Sequence, residues 1–260
     1  MSAGLPRGVV ESAASAMATT AGFVFTRSQL FFELVRRGAL ADPGADLDGA
    51  MQAFESRLAA FEHDHGELEG LIRPERLVDL PPPPELPPDV LDYTVRRVLV
   101  FDRLDTCLFF VCNGFHRRIE VGLVVWPDGA AEAGGAGFPA HVCDRLRAQL
   151  DEGLPTDFFL IGDCGTAARS WRQRMHATLK RPHVRVRDAS LTFPWAFRLR
   201  LPVRATGRAP DPHVVIPEDH EWRGLLMVGS YASLQEMPPM RLMRWVYRRV
   251  ARGAEDVGFG

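Results

Sequence analysis

The sequence predicts an α/β protein in two parts, a small helical domain followed by a parallel-sheet domain. Three observations carry that expectation. Beyond residue 91, short apolar runs alternate with segments of helical periodicity, the pattern of strand–helix–strand units. Before residue 80, apolar residues recur mostly at helical spacing. Between the two lies Pro81–Pro84, followed by Pro87 and Pro88, which suits neither a helix nor a central strand. The length of 260 residues fits one large domain or two small ones.

Taken in order, residues 1–22 are rich in Ala, Ser and Gly and read as a mobile tail. Thr26 can cap a helix whose Leu30, Phe31, Leu34 and Val35 follow at helical spacing, with Gly38 as its stop. A second helix is predicted from about 48 to 63, with Met51, Phe54, Leu58 and Phe61 on one face. Residues 65–72 (HGELEGLI) read as a strand or wing. Short helices with an extended pair predict a winged-helix-like domain over 23–80, then a proline-rich linker over 81–90.

From residue 91 onward, strands are predicted at 97–101, 119–126, 157–161 and 183–186. Helices are predicted at 105–112, 139–150 and 166–179. Strands joined through helices imply a parallel sheet with right-handed crossovers. Residues 192–203 (TFPWAFRLRLPV) read as extended and apolar. Residues 238–252 form an amphipathic helix, with Met240, Met243, Val246, Tyr247 and Val250 on one face and arginines on the other.

Composition excludes several classes. Apolar residues make up 46% and charged residues 25%, ordinary for a globular chain. No apolar run is long enough to span a membrane, so no membrane partner is expected. Four cysteines without a CxxC pair read as free thiols, which suggests a reducing cytoplasm. P-loop, G-x-G-x-x-G and G-x-S-x-G motifs are missing from the sequence.

The net charge of −2 hides an asymmetry. Residues 22–80 balance at −5, residues 81–165 at −6 and residues 166–260 at +9. In 166–208, eleven basic residues face only Asp188. Such a stretch either attracts a polyanion or is neutralised by the acidic half of the chain; both readings stay open.

Functional groups in a parallel sheet collect beyond the carboxyl ends of its strands. Asp102 follows the first predicted strand and Asp163 the third. Paired carboxylates there could hold a magnesium ion, or each could cap the next helix.

The order of short motifs resembles the A subunit of topoisomerase VI and its meiotic relative, the double-strand-break transesterase. Thr26-Arg27-Ser28-Gln29-Leu30-Phe31-Phe32 is similar to the family's helix motif that ends in the nucleophilic tyrosine. Gly66–Ile72 is similar to its Gly-x-x-x-Gly stretch, and Val98–Asp102 to the Toprim strand that ends in an acid. Gly137-Phe138-Pro139 resembles its Gly-aromatic-Pro turn, and Asp163-Cys164-Gly165 stands at its Asp-x-Asp. The resemblance covers roughly residues 23 to 190.

It implies a winged-helix domain, a Toprim-like domain over 91–260, Asp102 and Asp163 as magnesium ligands, and DNA as partner. Arg27 and Arg37 on the first helix, with Arg169 and Arg172 after Asp163, are the nucleic-acid contacts it suggests. The departures point to lost chemistry. The nucleophile position is Phe32, which has no oxygen to attack a phosphodiester, and Gly165 cannot ligate through a side chain. The expectation is a catalytically degenerate Toprim protein that binds nucleic acid without cleaving it. The competing expectation is an interaction protein that docks a partner, or a second copy, through helix 238–252. A third is magnesium-dependent phosphotransfer or nuclease activity through Asp102 and Asp163, without a covalent tyrosine.

Overall fold

The structure, a computed structural model, describes residues 4–18, 22–78, 94–126, 137–206 and 216–251. The proline-rich linker at 81–90 lies outside the described residues. The chain divides into two compact units, each assembled from separate stretches of sequence. One comprises Met1–Ile72, Gly162–Ser170 and Ser190–Arg248; the other comprises Arg73–Ile161, Trp171–Ala189 and Arg249–Gly260. The crossing nearest the expected boundary at 81–90 lies between Ile72 and Arg73.

The second unit holds the parallel sheet. Its strands are β1 (Arg97–Phe101), β2 (Gly122–Val125), β3 (Thr156–Ile161) and β5 (Val184–Asp188), ordered β2-β1-β3-β5 and parallel throughout. Central β1 buries Val98, Leu99, Val100 and Phe101 completely, because a strand covered on both faces reads as an unbroken apolar run. Alternate residues share a face. Val98, Val100, Phe158 and Leu160 pack with Trp171, Met175 and Leu179 on one side chain cluster that also takes in Cys143 and Leu146. The predicted strand at 119–126 is shorter than expected. Phe115–Ile119 is a helical turn, closed by Glu120 with φ of 52°, and the strand starts only at Gly122.

The first unit holds α1 (Arg7–Ala18), α2 (Arg27–Arg36) and α3 (Leu47–His65). Residues 1–22 were expected to be a mobile tail, and the structure corrects this. Val10, Ala13, Ala14 and Met17 recur at helical spacing and are buried in the same core as Leu30, Phe31, Phe54 and Leu58. Small side chains concealed the stripe. Val10 is fully buried, so Val10→Asp is expected to cost about 3 kcal/mol by stranding a carboxylate in an apolar core. Urea denaturation checks it; an unchanged midpoint would mean that α1 does not dock.

The wing expected at 65–72 is reduced to one parallel bridge between Phe25 and Leu71. The stretch predicted as extended at 192–203 contains a helix at Phe193–Arg198 with proline in its first turn, where the missing N–H costs nothing. The unit also contains a short sheet of β4 (Cys164–Gly165), β7 (Ser230–Ala232) and β6 (Arg204–Ala205), ordered β4-β7-β6 and antiparallel.

The C-terminal helix runs from Pro239 to Ala251. Its apolar side was expected to dock a partner, but Leu242, Met243, Trp245, Val246 and Val250 are buried within the chain. Only Tyr247 of the expected face is largely exposed, at 50%. All four cysteines are free thiols. Among the described residues no helix is long and apolar enough to cross a membrane.

Candidate functional site

The site around Phe32 begins with α2. Thr26 caps the helix reciprocally: its hydroxyl accepts from the Gln29 N–H, and the Gln29 side chain accepts from the Thr26 N–H. Apolar residues on more than one face of the short helix bury Leu30, Phe31, Phe32 and Leu34 together. Phe32 is only 4% exposed and meets Phe31 edge-on, with ring centroids 5.2 Å apart.

Above the Phe32 ring stands the Arg204 guanidinium, 5.5 Å from the centroid. Two carboxylates hold it. Arg204 Nε and Nη2 donate to Asp42 Oδ1 and Oδ2 at 2.9 and 3.0 Å, a bidentate pair. Its Nη1 donates to Glu236 Oε1 at 2.6 Å. The Arg204 and Glu236 side chains are 6% and 4% exposed, whereas Asp42 at the rim is 56% exposed. That difference sets their acidities. Burial pushes the Glu236 carboxyl up, the Arg204 hydrogen bond pulls it back, and it rests above the ordinary value. The hydrogen bond from Arg204 holds Asp42 below the ordinary carboxylate range.

Asp163 shapes this site indirectly. Its Oδ1 and Oδ2 accept from Ser233 Oγ at 3.2 and 3.1 Å, and Oδ1 also accepts from the Leu234 N–H at 2.7 Å. Those bonds fix the 3-10 turn Leu234–Glu236 that presents Glu236. The turn is tied to α2 twice more. Thr26 Oγ1 donates to Gln235 Oε1 at 2.8 Å, and Arg36 Nη2 donates to the Glu236 carbonyl at 2.9 Å. Asp163 is thus a positioning residue for the turn.

Asp163, an expected magnesium ligand, accepts from Ser233 Oγ and the Leu234 N–H. Gly165 offers no side-chain oxygen, and a side chain would not fit there. Its φ is +134°, and a Cβ would lie 2.8 Å from the Ser230 carbonyl oxygen. Among the described residues no group of three or more His, Cys, Asp or Glu side chains is placed to hold a metal. Asp102, in the unit of the parallel sheet, continues the ladder beyond β1 by donating its N–H to the Ile161 carbonyl at 3.3 Å. Burial pushes the Cys143 thiol up to about 11.

An open cleft of about 700 Å³ adjoins Phe32. Arg36, Arg198, Arg200, Arg204 and Arg241 line it against only two acids, Asp42 and Glu236. Arg200 takes φ of +54° just after the helix Phe193–Arg198, at the position where glycine commonly closes a helix. An arginine there costs about 1–2 kcal/mol of backbone strain and keeps a charge in the cleft.

The arginines picked from the sequence lie elsewhere. Arg37 pairs with Glu33 at 2.7 Å and donates to Ser12 Oγ. Arg172 pairs with Asp188 at 3.2 Å, and Arg169 meets His220 Nε2 at 3.0 Å. Arg27 opens α2, half-buried. None of the four lines the cleft. Sequence reasoning missed Asp42, Arg204 and Glu236, whose partners lie 162 and 32 residues apart. The only available signal was the basic stretch 166–208, which contains Arg198, Arg200 and Arg204.

The class that fold and site define is an α/β protein with a parallel sheet and an arginine-lined cleft. No protein-family model matches the chain, and no curated protein matches it.

Proposed function

We propose that the chain is a catalytically degenerate protein of the topoisomerase VI A type, which binds nucleic acid without tyrosine-mediated cleavage. The observation that carries the reading is the cleft beside Phe32: Asp42 and Glu236 hold Arg204 and Glu33 pairs with Arg36, while Arg198, Arg200 and Arg241 line it without an ion pair among the described residues. Guanidinium groups clustered in a concave surface suit a phosphate backbone. At the nucleophile position there is a phenyl ring beneath a guanidinium, so no oxygen is available to form a phosphotyrosine link. The four-stranded parallel sheet supports the Toprim part of the reading, and the helices at 7–18, 27–36 and 47–65 support a winged-helix-like part with a vestigial wing.

Fluorescence anisotropy with a labelled duplex tests it. Binding is expected to weaken linearly in log–log form as salt rises. Arg200→Gly separates a phosphate contact from a structural role. It is expected to stabilise the fold by up to about 1 kcal/mol by relieving the left-handed backbone. It should also weaken duplex binding and reduce the salt slope by about 1. No binding at about 50 mM salt, with protein well above micromolar, would discard the proposal.

A further inference from the structure

A second basic cleft lies within the unit of the parallel sheet, at the amino ends of its strands. We propose that it binds a phosphoryl oxyanion. Its volume is about 550 Å³, and it is lined by Arg96, Arg97, Thr156, Asp157, His183 and Arg185. That volume falls within the range of small-ligand pockets and admits a group larger than one phosphate.

The sheet register builds the site. Arg97 pairs with Asp157, and Asp157 with Arg185, on the neighbouring strands β1, β3 and β5. Register partners on parallel strands present their side chains to one face, so Asp157 shares a face with Arg97 and Arg185. Arg96 adds a third arginine to the cleft. Among the described residues neither Arg96 nor Arg185 forms an ion pair with a protein carboxylate. Arg97 uses Nη2 on the Ile119 carbonyl at 2.6 Å, which fixes its guanidinium in place.

His183 borders the cleft beside Thr156, whose N–H donates to the His183 carbonyl at 3.3 Å. An oxyanion in the cleft would offset the excess positive charge that the three arginines place there. The site stands apart from the Phe32 cleft in sequence and in unit, and does not depend on the nucleic-acid reading.

The phosphoryl group could belong to a free phosphorylated molecule or to a nucleic-acid backbone, and two arms distinguish them. Pyrophosphate is titrated calorimetrically into the full chain, alongside Arg96→Ala, Arg185→Ala and the double variant. Arg96 and Arg185 are exposed, so these variants are expected to melt as the parent does. Saturable binding to the parent is expected, weakened tenfold or more by Arg185→Ala, together with a shifted His183 imidazole nitrogen resonance. A labelled duplex forms the second arm. If only the duplex loses affinity in the double variant, the phosphoryl group is that of a backbone. Unaltered affinity for both probes in the double variant, or no binding of either by the parent, overturns the proposal.

Discussion

Replacing Arg204 with methionine is expected to remove about 3–5 kcal/mol of stability at neutral pH, the largest effect of any single change at the Phe32 site. The substitution keeps a flexible apolar stem over the Phe32 ring but leaves Glu236, 4% exposed, without its cation. Asp42 contributes little to this loss, because it is 56% exposed and water replaces the guanidinium. The sign of the pH dependence follows from Glu236. Its carboxyl already lies above the ordinary value in the parent, and losing Arg204 moves it higher. The native variant takes up a proton as pH falls through that raised value, while the unfolded chain remains ionised. The deficit is therefore full at pH 7 and shrinks toward pH 5. Asp42 acts oppositely in the parent. Its lowered value contributes stability above the ordinary 3.8, and that contribution disappears on further acidification. Urea denaturation of both proteins at pH 7 and pH 5 checks this. Equal deficits at the two pH values would refute the account of Glu236.

Gly165→Asp, which places a second acid two residues after Asp163, is expected to cost about 2–4 kcal/mol instead of creating a metal site. The backbone at Gly165 has φ of +134°, a region that side chains avoid, and the new Cβ would lie 2.8 Å from the Ser230 carbonyl oxygen. Gly165 also pairs with Tyr231 in the β4–β7 ladder, so relief requires that ladder to shift. Gly165→Ala should show most of the same loss, since the Cβ itself is the obstacle. Denaturation midpoints, with and without magnesium, provide the test. A stable Gly165→Asp variant that magnesium stabilises further would refute this expectation.

The parts of the fold that the sequence reveals are those with a local cause. Val98–Phe101 and Phe158–Ile161 are unbroken apolar runs, so β1 and β3 could be read directly. Thr26 and Gln29 sit three residues apart at a helix start, so the cap of α2 could also be read. Alpha helix α1 escaped because alanine carries little hydrophobic signal, although Ala13 and Ala14 pack as tightly as larger residues. The helix at Phe193–Arg198 escaped because proline and aromatics suggest extension unless their place in the first turn is recognised. The clamp on Arg204 has no local signature. Asp42 sits in a polar loop, and Glu236 in a turn whose geometry depends on Asp163. Strand-end acids are easily read as metal ligands, whereas Asp163 accepts bonds from the backbone and a serine.

The interleaving of the two units has a consequence for biosynthesis. Thr26 must wait for Gln235, 209 residues later, before its hydroxyl finds its acceptor. At translation rates of about 5–20 residues/s, that is an interval of about 10–40 s. Throughout it, the amino-terminal helices have emerged from the ribosome without the turn and arginine that complete their unit. The first unit therefore completes its core only once residues near 235 have been made, and it cannot mature one piece after another during synthesis.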